Sequence, residues 1–518
     1  MNSFKRKALT CAVLAGLGGI ATTAEAVYRN PDGTGMVLIY PYYTVNSIGG
    51  NAYNTYISVT NTSSVAKVTK VRFREGRTSA EVLDFNLYLS PNDVWVGALG
   101  PQGTAADSPA VIFGNFETSC THPQIPANGV AFVNTAYVSG IDALPGTGLD
   151  RTREGYVEIF DMATLLGAFA SNVTHTGIGV APPNCSAMRI NLTTSASYPA
   201  LVTNPVGGLY GEGTIINVTA GASVGYKADA LDSYRTTQYY ADVSTTAPTL
   251  GSNADVAPFS LVLANGRAVN DTWTSVVGQA SPGMKAVAAV FMHSSVMNDY
   301  ILDVNTKSNT DWVMTFPGKQ EFYQVFTAGT PVPPYTAVLG TSGACEAVTF
   351  TFFDRDEQSQ IPPPGGFSPQ QAGPGPNNST LCWESTVVSV RNGQAHTSAA
   401  DVSATDPRSG VLGSRNVRAV SVLGSPPFAA GWLLLTFTGA NAVPATGGLG
   451  SAAGNNLLQA GASTPSVHTF VGLPVTGFMV NSRTNASIAC TTPGGTAGTC
   501  ASSYGTLFTH SYRTTILP

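Results

Sequence analysis

Beyond residue 35 the chain is a succession of short apolar runs rich in Val, Ile, Tyr, Phe and Thr, each closed by Gly, Asn, Ser or Pro. Runs at 36–43, 53–60, 66–74 and 81–89 are separated by Gly49-Gly50-Asn51, Asn61-Thr62-Ser63-Ser64 and Glu75-Gly76-Arg77. Strand-length runs between turn clusters predict an antiparallel sandwich. In Val68-Thr69-Lys70-Val71-Arg72-Phe73-Arg74 apolar and polar residues nearly alternate, which predicts one face toward a core and one toward water. Leu89-Ser90-Pro91-Asn92-Asp93-Val94-Trp95 reads as a turn leading to a buried Trp95.

Further strands are predicted at 130–138, 155–159, 188–193, 213–218, 287–292, 312–315, 346–353, 381–390, 417–423 and 432–437, and the chain closes with strands at 477–485 and 505–515. A short helix is predicted at 160–170 and a single helical turn at 228–234. Strands do not alternate with long amphipathic helices, which disfavours a doubly wound parallel sheet. Two stretches, 361–378 (Pro, Gly, Gln) and 440–464 (Gly, Ala, Ser), are predicted to be long loops. The expected fold class is all-β: tandem antiparallel β-sandwich domains, Ig-like or jelly-roll-like, with long Gly/Pro-rich loops and little helix. The expected divisions are an N-terminal β-sandwich domain at 27–160, a middle β-rich region at 161–330 and a C-terminal β-rich domain at 331–518 carrying a Pro-rich loop at 358–378.

The first 26 residues read differently. Lys5, Arg6 and Lys7 precede an apolar stretch at 8–20, and Ala24-Glu25-Ala26 offers the small side chains a signal peptidase accepts. This is the pattern of a secretory signal peptide cut before Val27. The apolar stretch is too short and Gly-rich to cross a bilayer core of about 30 Å. Cys11 precedes most of that stretch instead of closing it, which argues against lipid attachment. Later, the stretch 284–297 is interrupted by Lys285 and His293, so no integral membrane segment is expected in the mature chain.

Only 11% of the 518 residues are charged, well under the usual quarter or so, so Thr, Ser, Asn and Gly must supply the polar surface. A hydrophobic content of 43% is enough for large cores and argues against wholesale disorder. Loss of residues 1–26 removes three bases and one acid and takes the net charge from −5 to −7. No basic cluster remains to track a phosphate backbone, which excludes nucleic acid as an expected partner. Six cysteines follow the signal: Cys120, Cys185, Cys345, Cys382, Cys490 and Cys500. An even count in an exported chain predicts three disulfides. Their connectivity is open, with pairing in sequence order expected because each pair is then local. Paired CxxC spacings, which zinc would want, are absent from the sequence.

Several motifs suggest chemistry and each has a plainer account. Gly221-Ala222-Ser223-Val224-Gly225 matches a hydrolase nucleophile elbow, with His293 and Asp242 or Asp255 as candidate partners. The elbow needs a parallel sheet, and a hairpin turn is the expectation. Ser64-Val65-Ala66-Lys67 has the spacing of penicillin-recognising enzymes but sits where a turn enters a strand. Leu473-Pro474-Val475-Thr476-Gly477 spells a sortase signal without the apolar run and basic tail that should follow, so a strand start is expected. Asp354-Arg355-Asp356-Glu357, and Asp303 to Asn305 leading to Asn309 and Asp311, offer oxygens to calcium, though solvated loop carboxylates account for them. The histidines at 122, 175, 293, 396, 468 and 510 show no metal spacing. Tyr40, Tyr42, Tyr43, Tyr53 and Tyr56 could line a sugar-binding face, and alternating core and surface tyrosines on strands explain them equally well. No catalytic residue and no cofactor is implied.

The stretches 53–95, 155–162, 310–319 and 473–483 together resemble a group of exported proteins of Gram-negative bacteria described as hypothetical or cell-surface proteins. The resemblance implies location and all-β character, and it lends no catalytic residues. The expected function is a non-enzymatic surface or envelope role in structure, adhesion or assembly. The alternatives are an exported serine hydrolase using Ser223 and a carbohydrate-binding surface module. Surface polymers or other envelope proteins are the expected partners, and self-assembly through edge strands is open. The expected address is the cell surface or extracellular medium, with the periplasm as a third option. N-terminal sequencing of the exported protein should begin at Val27; recovery of the chain with Met1 intact removes the export reading.

Overall fold

The computed structural model describes residues 26–48, 51–105, 108–114, 118–191, 201–253, 258–303, 306–323, 331–360, 379–391, 408–422, 428–437, 456–460, 468–491 and 497–517. Strand accounts for 49% and helix for 10%, in several separate sheets, so the fold is all-β. Residues 1–25 and the loop residues 361–378 lie outside the described residues. Ala26–Arg29 is already a strand, and Val27 is buried in a core.

The first half of the chain is organised by β1 (Val37–Thr44), β2 (Asn54–Asn61), β3 (Lys67–Glu75), β4 (Glu154–Leu165), β5 (Leu209–Asn217) and β6 (Ala222–Lys227). β4 lies between β3 and β1, antiparallel to both, in the middle of a ten-stranded sheet. β2, β5 and β6 are consecutive neighbours in a six-stranded sheet. The two sheets pack face to face: Leu38, Tyr40, Val71, Phe73, Val157 and Ile159 meet Ile57, Val59, Trp95 and Ile215 in one core. The alternate positions Val37, Ile39, Val68, Tyr156 and Phe160 face a second core, shared with helix α1 (Pro282–Val290) and with strands near the C-terminus. Both cores take side chains from all three expected divisions, and the expected boundary at 160 falls inside β4.

Because the ten-stranded sheet is covered on both sides, every residue of β1, β3 and β4 is buried. The polar face of β3 therefore does not meet water as the alternation suggests. Lys70 pairs with Asp84 at 3.0 Å, Arg72 with Glu81 at 2.6 Å and Arg74 with Glu158 at 2.9 Å. The segment 240–248 closes over them: the carbonyls of Asp242 and Pro248 accept from Lys70 and Arg72, and Asn86 donates to the Ala241 carbonyl at 3.1 Å. At the edges of the same strand, Lys67 meets Asp161 at 2.6 Å and Glu75 meets Arg151 at 2.6 Å, all four side chains fully buried.

Several local expectations fail, and at 160–165 and 287–292 the reason is burial on every side. The run at 160–165 continues β4 instead of starting a helix, and the helix begins later, at Gly167–Val173. The apolar run at 287–292 lies mostly within α1, which is buried all round and so shows no amphipathic stripe. Its start is marked in sequence: Ser281 caps the Met284 N–H at 3.1 Å and Pro282 follows, a standard helix entry. Residues 185–191 are helical where 188–193 was expected as strand, and Asp229–Asp232 is a strand where a helical turn was expected.

The second half adds β7 (Ser295–Ile301), β8 (Asn309–Thr315), β9 (Glu346–Phe353), β10 (Ala430–Phe437), β11 (Thr476–Thr491) and β12 (Ala497–Thr509). β10 runs between β9 and β7 in a six-stranded sheet, and β11 runs between β8 and β12 in a five-stranded one. Beyond Ser482 β11 pairs with β12 alone, as a long hairpin. The segment 408–416 ties the halves together. Asp311 accepts from the backbone N–H of Gly410, Val411 and Leu412, and Glu154 accepts from Ser414 Oγ at 2.6 Å and from Arg415 N at 2.8 Å.

Cys120 is bonded to Cys185 and Cys345 to Cys382, the pairing in sequence order. Such bonds imply a non-reducing environment. Cys490 and Cys500 stand in the distal hairpin, where the backbone register is described and the side chains are not. Among the described residues no helix is long and apolar enough to cross a membrane.

Replacing Asp161 with Ala strands a buried ammonium at Lys67 and should cost about 3–5 kcal/mol. The double variant Lys67→Met/Asp161→Leu should recover most of that loss. Urea unfolding of the three proteins decides it, and an Asp161→Ala variant as stable as the parent contradicts the account.

Candidate functional site

The residues singled out in sequence are mostly committed to structure. Ser223 lies on β6 in an antiparallel hairpin opposite Ile216, with the turn at Gly221. His293 is in another sheet, bonded to Thr514 Oγ1 at 2.9 Å, and Asp242 is half-buried in the 240–248 segment. No elbow is formed there, and Asp255 lies outside the described residues. Lys67 is buried against Asp161 on a strand, so the Ser64–Lys67 spacing has no helical face. Leu473–Pro474 pairs with Met292–His293, and the whole stretch 473–477 is buried. Tyr40, Tyr42 and Tyr43 are fully buried, Tyr53 is 8% exposed and Tyr56 alone reaches 37%. These five form no exposed sugar-binding face, because β1 has no solvent side. Asp311 is occupied by three amides, and Asp303 holds its own loop through Thr306. Among the described residues, no three His, Cys, Asp or Glu side chains are grouped as a metal site.

A Ser–His–Asp grouping does occur, unmarked in the sequence. Ser90 Oγ is 2.7 Å from His175 Nδ1, and Asp93 lies 3.7 Å from the same nitrogen. Ser90 donates its proton to the Val173 carbonyl at 2.9 Å, so Nδ1 must be the donor to Ser90, and Nε2 faces Thr118 Oγ1 at 3.0 Å. A base cannot take a proton from a hydroxyl to which it already donates, so the grouping is a structural clasp beside the Cys120–Cys185 bond and not a nucleophile.

The feature with free chemistry lies where the two C-terminal sheets meet, an open cleft of about 630 Å³. One wall is the sheet of β7, β9 and β10, in which the row of Asp299, Trp432 and Phe353 projects from the face opposite Tyr300. The Trp432 and Phe353 rings stack at 4.1 Å with 6° between their planes, which holds the half-buried indole in one orientation. The other wall is the hairpin, through Met479, Asn481, Arg483 and Phe508. Sheet and hairpin are pinned behind the cleft by the Trp312 indole N–H to the Asp299 carbonyl, 3.3 Å, and by Thr310 Oγ1 to the Ile301 carbonyl, 3.1 Å. The rim is the turn after β9, where Asp354 Oδ1 accepts from the N–H groups of Asp356 and Gln358, both at 2.8 Å.

Three buried polar atoms of the lining have no partner: the Tyr300 hydroxyl, Asp354 Oδ2 and Asn481 Oδ1. Their residues are 2%, 4% and 5% exposed. Leaving such a group unmet costs about 1–3 kcal/mol, so three converging on one opening point to a ligand. Burial, with the Asp354 carboxylate nearby, pushes the Tyr300 phenol well up, so it stays a neutral hydroxyl able to donate and accept. Gly431 stands opposite Tyr300, and a Cβ there would collide with the Phe353 carbonyl. Of these residues the sequence drew attention to the acidic turn at 354–357. Tyr300, Asn481 and Phe508 gave no local signal, since only the packing of two sheets brings them to one cleft.

Behind the cleft His510 bridges the sheets. Its Nε2–H donates to the Val313 carbonyl at 3.0 Å and its Nδ1 faces the Asn298 amide at 3.2 Å, which makes the neutral ring the matched form. Burial holds His510 down at about 4, only partly opposed by the Val313 bond. The unfolded imidazole titrates near 6.5, so between pH 6.5 and 4 the unfolded chain binds the extra proton and stability falls as pH falls. His510→Gln should remove about 3 kcal/mol of that acid loss, read as a flatter dependence of the urea midpoint on pH over this window. An unchanged slope contradicts the assignment.

Compared with protein-family models, with curated proteins and with solved structures, the chain matches none.

Proposed function

We propose that the chain is an exported envelope protein that acts by binding, in an adhesive or structural role, and that the cleft lined by Tyr300, Asp354 and Asn481 is where it holds a component of the cell surface. The observation that carries this reading is that Tyr300, Asp354 and Asn481, each with an unpartnered polar atom, line one open cleft. Buried polar groups are normally satisfied within the protein. A cleft whose lining keeps three unmet is suited to an external partner. The disulfides support an address outside the reducing cytoplasm, and the export signal read from residues 1–26 supports the route.

Two measurements test this. The mature protein should co-sediment with envelope material from the cells that produce it, and Phe508→Ala should weaken that roughly tenfold or more, as removal of an aromatic anchor does. A wild-type protein that stays in the supernatant, or binding indifferent to Phe508, overturns the binding role. Protease added to intact cells should degrade the protein; full protection, with release on osmotic shock, overturns the surface address.

A further inference from the structure

The two fully buried ion pairs at the ends of β3 differ in what surrounds them. Glu75 accepts from the Arg77 and Thr78 N–H groups at 2.8 and 2.7 Å and from Thr78 Oγ1 at 2.9 Å, as well as from Arg151. Arg151 in turn donates to the carbonyls of Asp142 and Gly146. Lys67 and Asp161 have far fewer partners. The Lys67 ammonium carries three protons and, among the described residues, meets one acceptor, Asp161 Oδ2 at 2.6 Å. That oxygen also accepts from Gly207 N at 3.0 Å, and Asp161 Oδ1 has no partner. Neither residue has exposed surface, so solvent cannot supply the missing bonds that a buried ion pair needs. The other buried lysines are not confined to a carboxylate: Lys70 also reaches the Asp242 carbonyl, and Lys285 and Lys319 donate to carbonyl groups.

We propose that this pair is a modification site, at which Lys67 Nζ and Asp161 Cγ condense into an amide that staples β3 to β4. The two side chains project from one face of neighbouring strands, since Asp161 stands opposite Thr69, two residues along from Lys67. At their contact distance an ordinary hydrogen-bond angle leaves Nζ about 3–3.5 Å from Cγ, the separation of a near-attack pair. The step balances within the pair. One proton passes from the ammonium to Asp161 Oδ1, leaving an amine and a carboxylic acid. The nitrogen lone pair adds to Cγ while the Gly207 N–H holds Oδ2. A second proton follows from nitrogen to Oδ1, the Cγ–Oδ1 bond breaks and water leaves. The amide keeps one N–H and one carbonyl oxygen where three N–H groups and two carboxylate oxygens stood, and Gly207 still serves that carbonyl. Burial favours the neutral acid from which addition starts, pushing the Asp161 carboxyl up against the opposing charge of Lys67. Until it condenses, the pair is the ion pair described above. The product links residues 94 positions apart by a bond that, unlike the disulfides, no reductant cuts.

Mass spectrometry of the purified mature protein, unfolded and with its disulfides reduced, tests this. The main species should be lighter than its sequence by one water. A tryptic digest should yield residues 30–70 joined to residues 154–189, because an acylated Lys67 is no longer a cleavage site. The double variant Lys67→Met/Asp161→Leu, which fills the site with apolar side chains, should show the full sequence mass and release the two peptides separately. A main species of full mass, with Lys67 cleaved normally, overturns the proposal. So does a missing water confined to 154–189 alone, which marks cyclisation of Asp161 on its own backbone, and so does a joined pair of peptides that persists in the double variant.

Discussion

Three adjacent strands, β1, β3 and β4, are buried at every residue, and most of the structure follows from that constraint. A strand buried on both faces can keep charged side chains only if each meets an opposite charge and enough hydrogen bonds to offset its lost hydration. β3 carries four cations and one carboxylate in nine residues. Asp84, Glu81, Glu158, Asp161 and Arg151 answer them from neighbouring strands and the turn before β4. A pair of this kind adds little to stability compared with an apolar pair of similar shape, but losing one member is expensive. The network therefore acts on register: a slip of one residue along β3 would exchange the charged face for the apolar one.

The same constraint draws distant chain into the core. The 240–248 segment is held over the charged face by its own carbonyls, and 408–416 is held between Glu154 and Asp311. These are contacts between residues one hundred to nearly three hundred positions apart. Such non-local pairing is slow to form, and a disulfide closing 65 residues between Cys120 and Cys185 shortens the search.

At the cleft the balance is set differently. Buried polar atoms without partners occur elsewhere, at Asn46 and Thr164 for example, yet Tyr300, Asp354 and Asn481 bring theirs to one opening. Each comes from a different sheet element, and each is held in place from behind: Asp354 by its turn, Asn481 by the β8–β11 pairing, and Tyr300 by its edge-on contact with Phe352 at 5.2 Å. A site whose groups are fixed before binding loses less entropy when it is filled.

Local pattern by itself determined the class of this protein and many of its strands. Glu81–Leu89 and Glu346–Phe353 were legible to the residue because their length, β-branched content and bounding turns are local properties. So was the local pairing of Cys120 with Cys185 and of Cys345 with Cys382. Where burial is two-sided, periodicity vanishes, and with it the means to tell strand from helix: hence 160–165 read as helix and 287–290 as strand. What tertiary structure alone decided is which polar residues are solvated and which are enclosed. Lys70, Arg72 and Arg74 look like a wet face in sequence and are interior. Asp354 looks like a solvated loop acid and proves buried, with one oxygen unmet. Tyr300 and Asn481, far apart in sequence, line one cleft only because two sheets close on each other. Exposure is a property of the whole packed molecule, so neither composition nor spacing could have placed that cleft.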